Sequence, residues 1–178
     1  MIAAPQPIPF ESLTFRELTT QDGSALRALR LEALKYEAKV FAANYEEESS
    51  LSPQQWNLRC AADKEHCWIG VFDDGTLIGI SSAQNWSGDP DGRTALFRSS
   101  YVQVAYRGEG LAGQLCQARE AWARRNNYSM AMLFHREGHW ISKVVLDFGA
   151  TYHHTEVMRF ADGTDAPAIW YSKKISSE

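Results

Sequence analysis

The stretch Tyr101–Leu115, "YVQVAYRGEGLAGQL", limits what this chain can fold into more than any other. A run rich in β-formers ends in Gly108, Gly110 and Gly113, and an apolar-periodic segment follows at once. Glycine has no Cβ, so such a turn lets the backbone approach an anion closely. The N–H groups that open the next helix then point at that anion along the positive end of the helix dipole. The chain therefore contains a strand, a glycine turn and a helix in series, and the turn is a candidate phosphate cradle.

Two letter patterns overlap in the turn. Gly108-x-Gly110-x-x-Gly113 is the pattern of a dinucleotide-binding turn. Arg107-x-x-Gly110-x-Ala112 is the other. A dinucleotide turn also needs an acid about 20 residues on, at the end of the next strand, to hold a ribose. "MLFHRE" places Leu133, Phe134 and His135 there, with Glu137 late. Hairpin-forming sequence, not alternating strand–helix units, precedes the turn. Both facts weigh against the dinucleotide reading.

The rest of the chain reads outward from this unit. "LTFREL" alternates as a short strand. Leu26, Leu29, Ala33 and Leu34 share one face of a helix preceded by the capping residues Thr20 and Asp22. Ser52-Pro53 restarts a helix after "NYEEES". "HCWIGVF" and "TLIGISSAQNW" flank an Asp-Gly hairpin turn, and "TALFRSSYVQV" is a third strand. After the glycines, Leu111, Leu115, Ala118 and Trp122 mark a buried helix face that Asn126 and Asn127 can close. "SMAMLF" is a buried strand, "HWISKVVLDFG" a helix ending on Gly149, and "TYHHTEVMRF" and "PAIWYSKKI" a closing strand pair. The reading predicts an α/β (α+β) domain over residues 13–178, after a proline-bearing arm over 1–12. Its mixed central sheet has about seven strands, flanked by about four helices, with one parallel crossover through the helix after the glycines.

Composition excludes several functions. With 178 residues, 44% of them hydrophobic, the chain can bury a sizeable core. The 18 basic and 22 acidic residues form no long basic run, so nucleic acid is not an expected partner. No apolar run is long enough for a membrane helix. Cys60, Cys67 and Cys116 are odd in number and form no C-x-x-C pair, which speaks against a disulfide framework or a cysteine metal site and for a cytoplasmic protein.

"YVQVAYRGEGLAGQL" resembles the acyl-CoA pyrophosphate motif of the GNAT superfamily of N-acetyltransferases, [Gln/Arg]-x-x-Gly-x-[Gly/Ala]. Arg107, Gly110 and Ala112 match its fixed positions, and Tyr106 and Leu111 are also usual there. Val104 stands where the family often has proline. The resemblance spans roughly residues 13 to 176, through a first helix and loop, "LRALRLEALKYEAKVFAANYEEE", and a "LDFGA" helix end similar to the family's "YEKLGF". It implies acetyl-CoA as co-substrate and no metal. Val102 and Val104 would lie beside pantetheine. The N–H groups of Gly108, Gly110, Leu111, Ala112 and Gly113, with Arg107, would hold the pyrophosphate. An amine, small or on a protein, would attack the thioester directly; the alternative is a domain that binds acyl-CoA without catalysis. The loop implies an acceptor side at Phe41, Asn44 and Tyr45, and Trp86 approaches from a strand end.

The family's usual acid is a tyrosine near the end of that last helix, but the matching positions here are Val145 or Leu146. The strand glutamate often used as base is also missing from "LFRSSYVQV". Tyr152 and Ser142 are the remaining candidate proton donors. Other readings are structural. His153-His154 should point to opposite faces of a strand and so cannot chelate together. "YEEES" reads as a solvated helix end, Cys116 as a small core residue, and Trp56, Trp68, Trp122, Trp140 and Trp170 as packing.

Overall fold

The computed structural model describes residues 12–176, so the arm expected over 1–12 lies, apart from Ser12, outside the described residues. The Asp-Gly signal folds β2 (His66–Asp73) back on β3 (Thr76–Asn85), with φ of 44° at Asp74 and 77° at Gly75. Positive φ at both central residues suits the twist of the flanking strands. β1 (Leu13–Glu17) lies outside β2, and β4 (Thr94–Val102) pairs on the other side of β3. β5 (Met130–Arg136), β6 (Thr151–Arg159) and β7 (Asp165–Lys174) complete a seven-stranded sheet of order β1-β2-β3-β4-β5-β7-β6. Only β4 and β5 are parallel, as the helical crossover between them requires.

Among the described residues five helices flank the sheet, where about four were expected. The helices are α1 (Gly23–Tyr36), α2 (Tyr45–Ser49), α3 (Pro53–Arg59), α4 (Leu111–Arg125) and α5 (Ile141–Asp147). The extra one arises because Asn44 caps α2 while Ser52 and Gln55 form a separate capping box on α3. Strand alternation divides the core. Ile69, Val71 and Ile78 face Leu111, Leu115 and Trp122 of α4. Trp68, Phe72 and Ile80 face Leu26, Leu29, Leu34 and Trp56 of α1 and α3. Among the described residues no helix is long and apolar enough to cross a membrane.

Three register shifts break the alternation assumed from sequence. In the first, Phe72 pairs with Leu77 and Val71 with Gly79, so Ile78 is an extra residue and faces the core opposite to that of Ile80. In the second, Ile80 pairs with Tyr101 and Ser82 with Arg98, so Ser99 and Ser100 together oppose Ser81. Ser99 sits at φ 60°, and a bulge bends and twists its strand. β4 pairs with β5 only from Thr94↔Met130 to Phe97↔Leu133. Past that point β4 stays on β3 as far as Val102, and β5 stays on β7 as far as Arg136. The sheet thus parts in a V just where the bulge begins.

The third shift, in β6, corrects the reading of the histidine pair. Tyr152 pairs with Tyr171 but His154 with Trp170, which makes His153 the extra residue. The two imidazoles therefore lie side by side, Nδ1 to Nδ1 at 2.7 Å, not on opposite faces. Among the described residues no group of three or more His, Cys, Asp or Glu side chains is placed to hold a metal ion.

Candidate active site

The parting of β4 from β5 opens a cleft that leads toward the glycine turn. Gly108 and Gly110 adopt φ of 89° and 75°, a left-handed conformation that glycine takes without strain. Gly110 is the N-cap of α4 and gives no side-chain cap. The N–H groups of Leu111 and Ala112 precede the helix's own hydrogen-bond ladder. A Cβ at Gly108, Gly110 or Gly113 would meet no non-neighbouring atom within 4 Å, so the turn presents an open face. These features suit a phosphate group. Gly113 differs, because its N–H already donates to the Gly110 carbonyl at 3.1 Å.

Arg107 is turned into the protein. Its Nε donates to the Val102 carbonyl at 2.8 Å, its guanidinium pairs with Glu37, and it lies 5.4 Å from the Tyr101 ring centroid. Arg107, Ala112 and Val102 line the cleft, and Leu111 is buried beneath the turn in the core. Val104 is 72% exposed in the 3-10 turn Val104–Tyr106 and does not line the cleft.

The cleft encloses about 100 Å³ between Phe97, Leu133, Ile141 and Val145, with Cys116 and Arg119 of α4. Val145, buried, takes the wall position, and Leu146 is exposed. Arg119 is buried, donates from Nη2 to Cys116 Sγ at 3.0 Å and lies over Phe97. Cys116 thus packs as the small buried residue expected.

The cleft's polar groups are mostly engaged. Tyr101 donates its hydroxyl to Glu32 at 2.8 Å, and burial first, then this bond, push its pKa above the ordinary phenol value. His135 Nδ1 donates to the Arg136 carbonyl at 2.8 Å, which leaves Nε2 to accept from Tyr171 Oη at 3.2 Å. His139 lies with Trp140 in the cleft wall, and burial is the main cause holding its pKa below 6.5. Its Nδ1 accepts from the Ile141 N–H at 3.3 Å, so the neutral ring carries its proton on Nε2.

The other sequence-derived candidates divide. Phe41 is buried and lines the cleft, pinned by Ala161 N–H on its carbonyl at 2.7 Å. Asn44 spends its side chain capping α2, and Tyr45 opens that helix outside the cleft wall. Trp86 packs near Trp170, its backbone N–H on the Thr94 carbonyl. Because β3 runs antiparallel to β4, its end lies beside the start of β4, where the V is closed. Ser142 donates to the His139 carbonyl at 2.6 Å, and Tyr152 is 63% exposed beside Thr155; neither lines the cleft.

Some residues of the cleft and of the cavity beside it escaped the sequence reading. Trp140, expected as packing, is 53% exposed in the cleft wall. Glu48, read as part of a solvated helix end, is buried and receives Arg30 Nε at 3.0 Å and Arg59 Nη1 at 3.2 Å. Arg30 and Arg98 both line the cleft. Each carried a signal: Arg30 stands one turn from Leu26 and Leu34 on an apolar helix face, and Arg98 interrupts an apolar strand.

A model of the acetyltransferase (GNAT) family matches residues 28–139. No curated protein matches the chain. Among solved structures, the chain is similar to an acetyltransferase of the GNAT family from Streptococcus pneumoniae at 15% identity and TM-score 0.78, over 92% of this chain and 99% of that one. YncA from Salmonella typhimurium, solved with its cofactor acetyl-CoA, is similar at 16% identity and TM-score 0.78, over 93% and 95%. The ribosomal-protein-S5-alanine acetyltransferase of Vibrio fischeri is similar at 15% identity and TM-score 0.78, over 95% and 96%. At these identities the likeness is one of fold.

Proposed function

We propose, from the premise that this chain belongs to the acetyltransferase (GNAT) family, that it moves an acetyl group from acetyl-CoA to a primary amine by direct attack in a ternary complex. The observation that carries the reading is the V between β4 and β5, opening toward a glycine turn with an open face. Backbone freed by the parting is available to pantetheine, and the N–H groups of Gly108, Gly110, Leu111 and Ala112 to the pyrophosphate. Bound acetyl-CoA supplies the activated acyl group.

The remaining chemistry falls to the chain. The amine must lose a proton before it attacks, and the thiolate leaves more readily if it receives one. A β4 backbone N–H beside the bulge would polarise the thioester carbonyl. Val145 carries no acid, and the Tyr101 hydroxyl is committed to its hydrogen bond with Glu32. We assign the orientation of the leaving sulfur to the Nε2–H of His139 and the proton itself to solvent in the cleft. The acceptor enters beside Phe41.

A second reading, a domain that binds acyl-CoA without turning it over, is favoured by this shortage of free acids and bases. One experiment separates the two and tests the first. Acetyl-CoA should raise the Tm, as any ligand of the native state does, and Gly110→Asp should abolish that rise. An amine panel should then release free thiol from acetyl-CoA. A Tm rise with NADH and none with acetyl-CoA would overturn both readings; a rise with acetyl-CoA and no turnover would leave the second.

A further inference from the structure

We infer that a cationic cavity beside the cleft is a carboxylate subsite, and that the acceptor is a small molecule bearing both an amine and a carboxylate. This rests on the proposed acetyl transfer and names its substrate class. The cavity holds about 180 Å³ and is walled by Arg30, Arg59, Arg98, Glu48 and His66. For scale, a cavity of about 150 Å³ accepts benzene, so this space suits an amino-acid-sized ligand.

Its charge is unbalanced. Three guanidinium groups meet one carboxylate there. Glu48 takes Arg30 through Nε and Nη2, at 3.0 and 3.1 Å, and Arg59 through Nη1 at 3.2 Å. Arg30 is only 2% exposed, yet its Nη1 has no hydrogen-bond partner. Arg98 pairs with no carboxylate among the described residues. Burial first, then repulsion from Arg30, hold the Arg98 pKa below its ordinary value; Glu48 opposes and Arg59 adds to the repulsion. His66 is likewise held below 6.5, by burial first, with Asp63 opposing and Arg59 and Arg98 adding, so the imidazole resists taking a positive charge beside the guanidinium groups.

Partly buried cations without counter-charge are costly, and the planar guanidinium fork matches a carboxylate in shape. A carboxylate in the cavity would meet both needs, giving Arg98 a counter-ion and Arg30 Nη1 an acceptor. Arg30, Arg98 and Ser99 line the cavity and the cleft alike. An acceptor anchored by its carboxylate therefore extends its amine past the β4 bulge toward the thioester.

The test compares free L-amino acids with their α-carboxamides, their decarboxylated amines and O-phosphoethanolamine as acceptors for acetyl-CoA. The amides and decarboxylated amines bracket the basicity of the α-amine, so reactivity and recognition separate. At least one free acid should be preferred by roughly 10²-fold or more in kcat/KM, because the neutral analogue leaves buried cations unpaired. Arg98→Gln should raise KM for that acid about tenfold or more, and leave the amide's KM and the Kd for acetyl-CoA within a few-fold. It orphans no carboxylate, so folding should survive; Arg98→Lys should recover part of the preference, and Arg59→Gln should repeat the effect more weakly. Equal use of acids and neutral amines, or preference for the phosphate-bearing amine, would overturn the carboxylate subsite while leaving acetyl transfer standing. If acetyl-CoA raises the Tm but nothing turns over, the CoA-loaded protein is titrated with N-acetyl amino acids and their amides. A Tm rise with the acids alone, lost in Arg98→Gln, supports the subsite; its absence overturns it. If acetyl-CoA causes no Tm rise, it is the acetyl-transfer reading that fails, and the subsite falls with it.

Discussion

Glu37, which closes α1, is paired with Arg107 at the start of the glycine turn, and both side chains stand in the cleft wall. The pair ties the glycine turn to the C-terminal end of α1. It also decides between two roles for Arg107. A guanidinium reserved for phosphate would be freed, and strengthened as a ligand, by removing Glu37. One that braces the turn would be loosened.

Bracing is the expected outcome. Glu37→Gln and Arg107→Gln should each weaken acetyl-CoA several-fold by calorimetry. A double-mutant cycle on urea stability should give a coupling of about 1 kcal/mol, in the range for contacting residues. Tighter acetyl-CoA binding by Glu37→Gln would identify Arg107 as a direct phosphate contact.

The glycines separate conformational from ligand effects. Gly110→Ala must hold a side chain at φ 75°, which costs about 1–2 kcal/mol of stability. Gly113 lies in the first turn of α4, and a Cβ there meets no non-neighbouring atom within 4 Å. Gly113→Ala should therefore be neutral, or more stable by up to about 1 kcal/mol, yet weaken acetyl-CoA if the ligand rests on that face. Chemical denaturation and acetyl-CoA titration of the same two variants read the two effects independently.

Tyr152→Phe should keep kcat within a few-fold of the parent, since the phenol is exposed near Thr155 and absent from the cleft wall. A loss of about 10²-fold or more, the mark of a general acid, together with loss of the alkaline limb of the pH–rate profile, would return Tyr152 to the chemistry.

Asp22 gives the fold a pH dependence. Its hydrogen bonds from Arg16, assisted by the Thr19 N–H and hydroxyl, lower its pKa from 3.8 to about 2. The folded pKa is the depressed one, so the stabilisation is complete above 3.8 and disappears as pH falls through about 2. With Arg16 solvent-exposed, screening limits it to about 1 kcal/mol. Urea titrations of the parent and Asp22→Asn should differ by this amount at neutral pH and converge between pH 4 and pH 2. A constant gap across that window would assign the effect to geometry rather than to ionisation.

The order of strands and helices was legible because each is announced locally: by alternation, by Asp74-Gly75, by Ser52-Pro53, and by the glycines before Leu111. The glycine turn at the head of α4 was legible for the same reason, being one continuous stretch. The cationic cavity was not. It draws Arg30 from α1, Glu48 from α2, Arg59 from α3 and Arg98 from β4, and no local pattern states that these meet. The bulges were hidden too, because a reading in steps of two cannot register an added residue. That is why His153 and His154 were expected on opposite faces. The miss at Trp86 has a different cause: β3 runs antiparallel to β4, so its end adjoins the closed end of the cleft.

The extra residue in β4 is in effect a change of parity written into the strand. Phe97 and Val102 both belong to the core under α4, although an odd number of positions separates them. Tyr101, between them, belongs to the opposite core, under α1. Deleting Ser99 or Ser100 alone would make that separation even, so a regular strand would still send Val102 toward α4 and Tyr101 toward α1, but without the bulge and the bend it gives. A one-residue deletion here should therefore spare both cores while straightening the strand where the sheet parts, and acetyl-CoA affinity should fall by more than the Tm.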